Sequence, residues 1–593
     1  DRTAIKVILG ALQPPRSAPG SKFNILALLS PGNGGGGEKG ITRENDAGEL
    51  PSTGGRNVTG PTPNLTSSLT DAVSALKTLR NIVCVSSASL AKVGGDASGA
   101  LARDAPGAAL WTVRAIAAMR NPIDSNKKTT ATASGAGSKT YLAFEIEREE
   151  ALQLALNVAT LLASASGPSP WCNVGLANYL RALSECLMSF DLQRPDLKED
   201  LNKEENEKLR LRLIRAKLET QHFARVAVTR AIDVASKRGE GQECVMALSK
   251  LPKPTFSESL IAHLASSFTQ LERELLEEQA KSAQRKTDKE NGTQTHTEAI
   301  AKDSNDDRAR RDIFKRRGEA VGDACDALLK CSSCYAPVSI TLVADSFVRY
   351  GERMGAFQAL IKASSNSVYC GFLSLSGCRI VGACSRASAT FAHKALEKDA
   401  LMRFSTRLIK LVARASELTK SPSSDIENTN HVNTIVNKLR PVADGIAAVA
   451  YALHPLAKEN CETAHPADFL CDSGIAESCC DALEIFSTFV PLNQTSSVGM
   501  TQQQQQQLKQ SPSKQQQMSK QAIEDFKAAQ YLTIFSLLNI LRLPLAFTPA
   551  KGSNAEKVGT VANRKFTTVL KEKNIIETLM KCVKSMKMDL ETD

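Results

Sequence analysis

The sequence predicts an all-α protein, an α-solenoid of antiparallel helix pairs with long disordered inserts. Three observations lead there. Apolar residues recur at three- and four-residue steps through most of the chain, Gly and Pro punctuate the segments between them, and no segment sustains the period-two alternation of a strand. At 593 residues the chain exceeds what one hydrophobic core serves, so it is either several domains or a stacked array. Its composition, 42% apolar but only 5% aromatic, favours many close-packed helices.

Residues 1–64 are Gly-, Pro- and Ser-rich and are expected to form a flexible basic extension. Residues 2–30 carry Arg2, Lys6, Arg16 and Lys22 with no acid, as in the tail of an organellar presequence or a basic extension. N-terminal repeats are predicted over 65–278. They start with a helix marked by Leu69, Val73, Leu76 and Val83, followed by a second helix around Ala108–Met119. After a polar insert at Ser125–Lys139, Tyr141–Ala165 reads as a long helix that buries Leu152, Leu156, Ala159 and Leu162, and Val174–Phe190 reads as its partner. Residues 279–307 are too hydrophilic to bury anything and read as a polar insert. Central repeats follow over 308–490, with the regular stripe Leu401, Phe404, Leu408, Leu411, Ala415 and Leu418. A Gln-rich low-complexity insert is expected over 491–520 and further helices over 521–593.

The stretch Ser339–Ala363 reads as a helix, a break at Gly351 and a second helix. Its stripes are Ile340, Val343, Phe347 and Tyr350, then Met354, Phe357, Leu360 and Ile361. The pattern I-x-x-[LV]-A-x-S-F occurs twice, 79 residues apart, in Ile261, Leu264, Ala265, Ser267 and Phe268 and in Ile340, Val343, Ala344, Ser346 and Phe347. A looser copy ends at Ser189-Phe190. Repetition of a small polar Ser, which no packing stripe demands, is the sign of a repeat.

The net charge of +11 points toward a polyanionic partner, and clustering makes that specific. Lys208, Arg212, Arg215, His222 and Arg225 fall at helical steps, with Leu211, Ile214 and Leu218 on another face. Arg308, Arg310, Arg311, Lys315, Arg316 and Arg317 make a denser run with a single acid. Phosphate binding needs only such density on one face, so these lysines and arginines are the predicted RNA-binding residues.

Other chemistry finds little support. Phe23–Lys39 ends in a Gly-rich loop, but Glu38 separates Gly37 from Lys39 and no helix follows, so it is no phosphate loop. Cys331-Ser-Ser-Cys334 has zinc or redox spacing without a second pair. Cys461, His465, Cys471, Cys479 and Cys480 lie close in sequence, in a spacing that matches no common zinc module. The fifteen cysteines read as reduced thiols of an intracellular protein. No local arrangement of Ser, His and Asp implies catalysis. The expectation is no enzyme, no cofactor and no metal. No apolar run reaches the span of about 18 to 20 residues that crosses a bilayer, the closest being Tyr531–Phe547, interrupted by Asn539, Arg542 and Pro544.

The central segment, Leu342–Gly351 followed by Phe357–Leu360, resembles the heptatricopeptide-type helical repeats of organellar RNA-binding proteins in protists. Ser346, Phe347, Tyr350, Gly351 and Phe357 match that family's small-polar, aromatic, apolar, glycine and aromatic slots. Members often end in a RAP domain and act on organellar RNA, and some are subunits of divergent mitochondrial ribosomes. Residues 520–593 depart from this pattern, reading as helices rather than a mixed α/β RAP domain. The resemblance implies a mitochondrial, non-catalytic protein that contacts ribosomal or other organellar RNA and the proteins of a large ribonucleoprotein. The alternative is a protein-only α-solenoid scaffold in a mitochondrial respiratory or ATP-synthase complex.

Overall fold

The computed structural model describes residues 136–164, 203–250, 255–290, 299–365, 375–420, 429–460, 465–488, 514–546 and 554–590, with a few positions in 73–81 and 175–183. The predicted helix around Ala108–Met119 and the third repeat copy at Ser189-Phe190 lie outside the described residues. Among those described, the protein is all-helical and contains no strand. The chain divides into two compact units. The first comprises residues 1–175 with 192–216, and the second comprises 176–191 with 217–593.

In the first unit, helix α1 (Ala136–Ser164) packs on the first half of α2 (Lys203–Lys237). Leu142, Ile146 and Leu213 form the core, with Leu209 beside them, and the Gln153 side chain donates to the Ala216 carbonyl at 2.8 Å. Leu152, Leu156 and Ala159 are buried as expected. On α2 the inward row is Leu209, Leu213 and Ala216, so the predicted apolar residues Leu211 and Ile214 are only half-buried.

The second unit continues with the rest of α2, α3 (Gly241–Lys250), α4 (Phe256–Glu290) and α5 (Ala299–Ser333). The predicted insert at 279–307 is thus taken up largely by the end of α4 and the start of α5. Its Ala, Glu, Gln, Lys and Arg are good helix formers that need no apolar face to extend an existing helix. The central stretch forms α6 (Val338–Ser346), a π turn (Phe347–Gly351) and α7 (Ala356–Ser365). The break lies four residues later than predicted. Gly355, at φ +70°, makes the left-handed turn, whereas Gly351 is a packing residue. A Cβ there would stand 3.1 Å from Phe347 and 3.3 Å from Ile261 of α4.

Phe347 and Phe268, the aromatics matched by the repeat pattern, are both buried. Phe347 meets Phe357 edge-on at 5.8 Å and Phe391 at 5.9 Å, and Phe357 lies 4.7 Å from Phe391. Met354, placed in the second stripe, is exposed because it precedes Gly355 in the turn.

Helices α8 (Leu375–Ala387), α9 (Ala389–Glu397), α10 (Ala400–Lys420) and α11 (Thr429–Asn460) follow, and α11 packs on α8, α9 and α10. Gly382 allows the α8–α11 approach, since a Cβ there would meet the Tyr451 ring at 2.4 Å and its carbonyl oxygen at 2.7 Å. The Arg386 guanidinium stacks over the same ring at 3.7 Å. The stripe Leu401, Phe404, Leu408 and Ala415 is buried, with Val412 in place of Leu411.

Helices α12 (Pro466–Asp472), α13 (Ile475–Thr488), α14 (Lys514–Ala546), α15 (Asn554–Glu572) and α16 (Ile575–Leu590) complete the unit. Residues 308–490 and 521–593 fall in one unit. The link is α14, whose Thr533 donates to the Ala443 carbonyl of α11 at 2.9 Å and whose Gln530 donates to the Phe486 carbonyl of α13. Helix α14 runs unbroken past Asn539, Arg542 and Pro544. Its stretch Gln521–Ala546 is the one helix among the described residues long and apolar enough to cross a bilayer, and 56% of its most apolar window is buried inside the fold.

Candidate nucleic-acid interface

At about 100° per residue, Lys208, Arg212 and Arg215 fall within a narrow sector of α2, and all three are exposed. The sector lies about a quarter turn from the Leu209–Leu213 row. Packing that row against α1 turns the cations outward.

Arg225 does not belong to this face. It lies about 100° away from Lys208 around the axis and is 2% exposed. Its Nη2 and Nε donate to Asp323 Oδ2 of α5 at 2.7 and 3.2 Å, and its Nη1 lies 3.1 Å from His263 Nε2 of α4. Burial lowers the affinity of this guanidinium for its proton, and Asp323 opposes that effect. Burial raises Asp323, but the hydrogen bond to His222 at 2.8 Å and the Arg225 charge bring it below the usual carboxylate range. His263 is pushed down to about 3 by burial and then by Arg225, so the imidazole is neutral and its Nε2 accepts the bond from Arg225. Arg225 is a structural cation, which removes it from the RNA-binding set.

A similar correction applies on α5. Arg308 and Arg310 lie in its third and fourth turns, and their side chains lie outside the described residues. Arg311 and Lys315 are exposed and Arg316 is partly exposed, with Arg316 bound to Glu319 at 2.9 Å and Lys315 4.0 Å from the same carboxylate. Arg317 is 4% exposed and turns inward, pairing with Glu274 of α4 at 2.6 Å and donating to Gln270. Burial lowers Arg317 and raises Glu274, each opposed by the other's charge. It too leaves the set.

One basic row escaped the sequence reading. Arg403, Arg407, Lys410 and Arg414 recur at i, i+4, i+7 and i+11 on α10, within a sector of about 60°. Lys410 and Arg414 are exposed, Arg403 is half-buried and Arg407 is buried. No acid stands on this helix until Glu417. A search for dense runs passes over residues spaced one turn apart, and helical spacing was the available signal.

Two cysteines of the cysteine-rich segment are built into the core, and Cys471 is half-buried. His465 caps α12, its Nδ1 accepting from the Ala467 N–H at 3.2 Å. Cys479 and Cys480 are buried in α13, where burial raises both thiols, Cys480 to about 12. Cys461 lies outside the described residues. Among the described residues no group of three His, Cys, Asp or Glu side chains is placed to hold a metal ion. No family model, curated protein or solved structure matches the chain.

Proposed function

We propose that this protein is a non-catalytic, RNA-binding α-solenoid, a structural subunit of a mitochondrial ribosome that contacts ribosomal RNA and neighbouring proteins. One observation carries the reading: Lys208, Arg212 and Arg215 form an exposed cationic row on a helix anchored in a core by the Leu209–Leu213 row about a quarter turn away. Arg311 and Lys315 on α5, with Lys410 and Arg414 on α10, repeat the arrangement in the second unit. Rows of this kind suit phosphates, which position a nucleic acid without reading its bases. The solenoid reading is supported by α4 to α16, each of which packs mainly on elements near it in sequence. The resemblance of Leu342–Leu360 to heptatricopeptide-type repeats supports the mitochondrial assignment.

A protein-only scaffold in a mitochondrial membrane complex is the second reading. Exposed apolar residues at the C-terminal end favour it, namely Ile576, Met580 and Val583 in one row on α16 and Phe535 on α14. Co-sedimentation of the native protein with and without RNase separates the two. Release by RNase is the result expected for the RNA reading, and indifference supports the scaffold. With purified protein, Lys208→Gln/Arg212→Gln/Arg215→Gln should flatten the log–log salt dependence of RNA binding by about 2 to 3, at about 0.7 to 0.9 per lost phosphate contact. An unchanged slope would remove this row from the interface.

A further inference from the structure

Three helix pairs in the second unit turn in the same way. The joints of α9 to α10, α12 to α13 and α15 to α16 each pass through one residue in the left-handed region, Asp399 at φ 59°, Gly474 at φ 71° and Asn574 at φ 48°. Each of these residues donates its N–H to the carbonyl three residues back, at 3.0 to 3.1 Å. Counted from that residue, the second helices of the three pairs share one register. The first and eighth positions are buried in every pair, as Ala400 and Arg407, Ile475 and Ala482, and Ile575 and Cys582. The second, sixth and ninth positions divide the pairs. Leu401, Ser405 and Leu408 of α10 and Ala476, Cys480 and Leu483 of α13 are at most 7% exposed. In α16 the same positions hold Ile576, Met580 and Val583, at 74%, 55% and 51%. Lys573 bonds Asp481 at 2.6 Å and Lys565 bonds Asp472, which ties the third pair to the second. Helix α16 itself packs chiefly on α13 and α15.

The row on α16 therefore occupies positions that the two earlier pairs bury and the last pair leaves open. The outer face of a terminal repeat is expected to be polar, because an apolar one associates. We propose that a second copy of this chain covers the row, its α16 lying antiparallel to the first about a two-fold axis beside Met580. The row is complementary to itself in that arrangement. Ile576, Met580 and Val583 span a sector of about 60°, and Glu577 and Lys581 lie together on one flank of it. Reversal about Met580 sets Ile576 against Val583 of the second copy and Met580 against its own equivalent, as an isologous contact requires. Like flanks meet in an antiparallel pair, so Glu577 of each copy faces Lys581 of the other. Within one chain these two side chains bond each other at 3.0 Å and are 57% and 46% exposed, so both can reach across. This dimer rests on the stacked helix packing that both functional readings share, and owes nothing to the basic rows.

The test is sedimentation velocity of the RNase-treated full-length chain over a series of concentrations with dithiothreitol, so that neither RNA nor a disulfide joins two copies. The expected result is a concentration-dependent dimer. Met580→Glu sets two carboxylates face to face on the axis and should give a monomer with unchanged circular dichroism, since Met580 is exposed. Lys581→Glu alone should weaken the dimer by about tenfold or more, and adding Glu577→Lys should restore it, because opposite charges then face each other again. A wild-type chain that stays monomeric would overturn the proposal, and so would a dimer that survives Met580→Glu. Flotation of a monomeric chain with phosphatidylcholine vesicles, lost in Met580→Glu, would assign the row to a lipid surface instead. Lys208→Gln/Arg212→Gln/Arg215→Gln should dimerise as the wild type does, which keeps a failure here apart from a failure of RNA binding.

Discussion

Replacing Asp323 tests the reassignment of Arg225 from an RNA contact to a structural cation. The Arg225 side chain is 2% exposed and the Asp323 side chain 25% exposed, and one carboxylate oxygen accepts two guanidinium bonds and a histidine bond. Asp323→Ala leaves that guanidinium buried without its counter-charge, at an expected cost of about 3–5 kcal/mol. Removing both partners with Arg225→Met/Asp323→Leu leaves no uncompensated charge and should cost far less, about 1 kcal/mol or below. The exposed pair Lys573–Asp481, at 37% and 45% side-chain exposure, is the internal control, with an expected loss of about 0–1 kcal/mol. Urea unfolding followed by circular dichroism gives the midpoint shifts, converted at a common slope. If Asp323→Ala costs no more than Lys573→Ala, Arg225 is solvated and the buried network is wrong.

The same site has a pH signature. His263 titrates near 3 in the fold against about 6.5 unfolded, so the unfolded chain binds more protons between those values. Its contribution is fully present above pH 6.5 and drains as pH falls toward 3, by about 1.4 kcal/mol per unit. His454 and His465 are also held down by burial. The check is therefore the difference in urea midpoint between wild type and His263→Gln from pH 6.5 to 4.5, and parallel profiles would contradict the burial. Phe347→Ala should cost about 3–5 kcal/mol by cavity formation among Phe357 and Phe391, and a loss below about 1 kcal/mol would show that the ring is not at the core. Gly382→Val places a side chain on the Tyr451 carbonyl, which backbone cannot easily yield. A loss of about 1–3 kcal/mol is expected, read as a lowered thermal midpoint.

The helical class and most inward rows were legible in the sequence alone, because three- and four-residue apolar spacing is a local property of the chain. Leu152, Leu156, Phe268, Phe347, Phe404 and Leu408 are all core residues whose burial follows from their own stripes. Two other features were not local. The turn moved from Gly351 to Gly355 because Gly351 is needed where Ile261, far away in sequence, comes close. The basic runs were seen, but two of the ten predicted cations, Arg225 and Arg317, turned inward. Charge density along a sequence does not record where the partner carboxylates lie, and Asp323 and Glu274 stand on other helices. Helical spacing alone separates Lys208, Arg212 and Arg215 from Arg225 by about 100°. Which side of the first part of that helix faces the core was decided by packing, because burying the Leu209–Leu213 row against α1 turns Lys208, Arg212 and Arg215 outward.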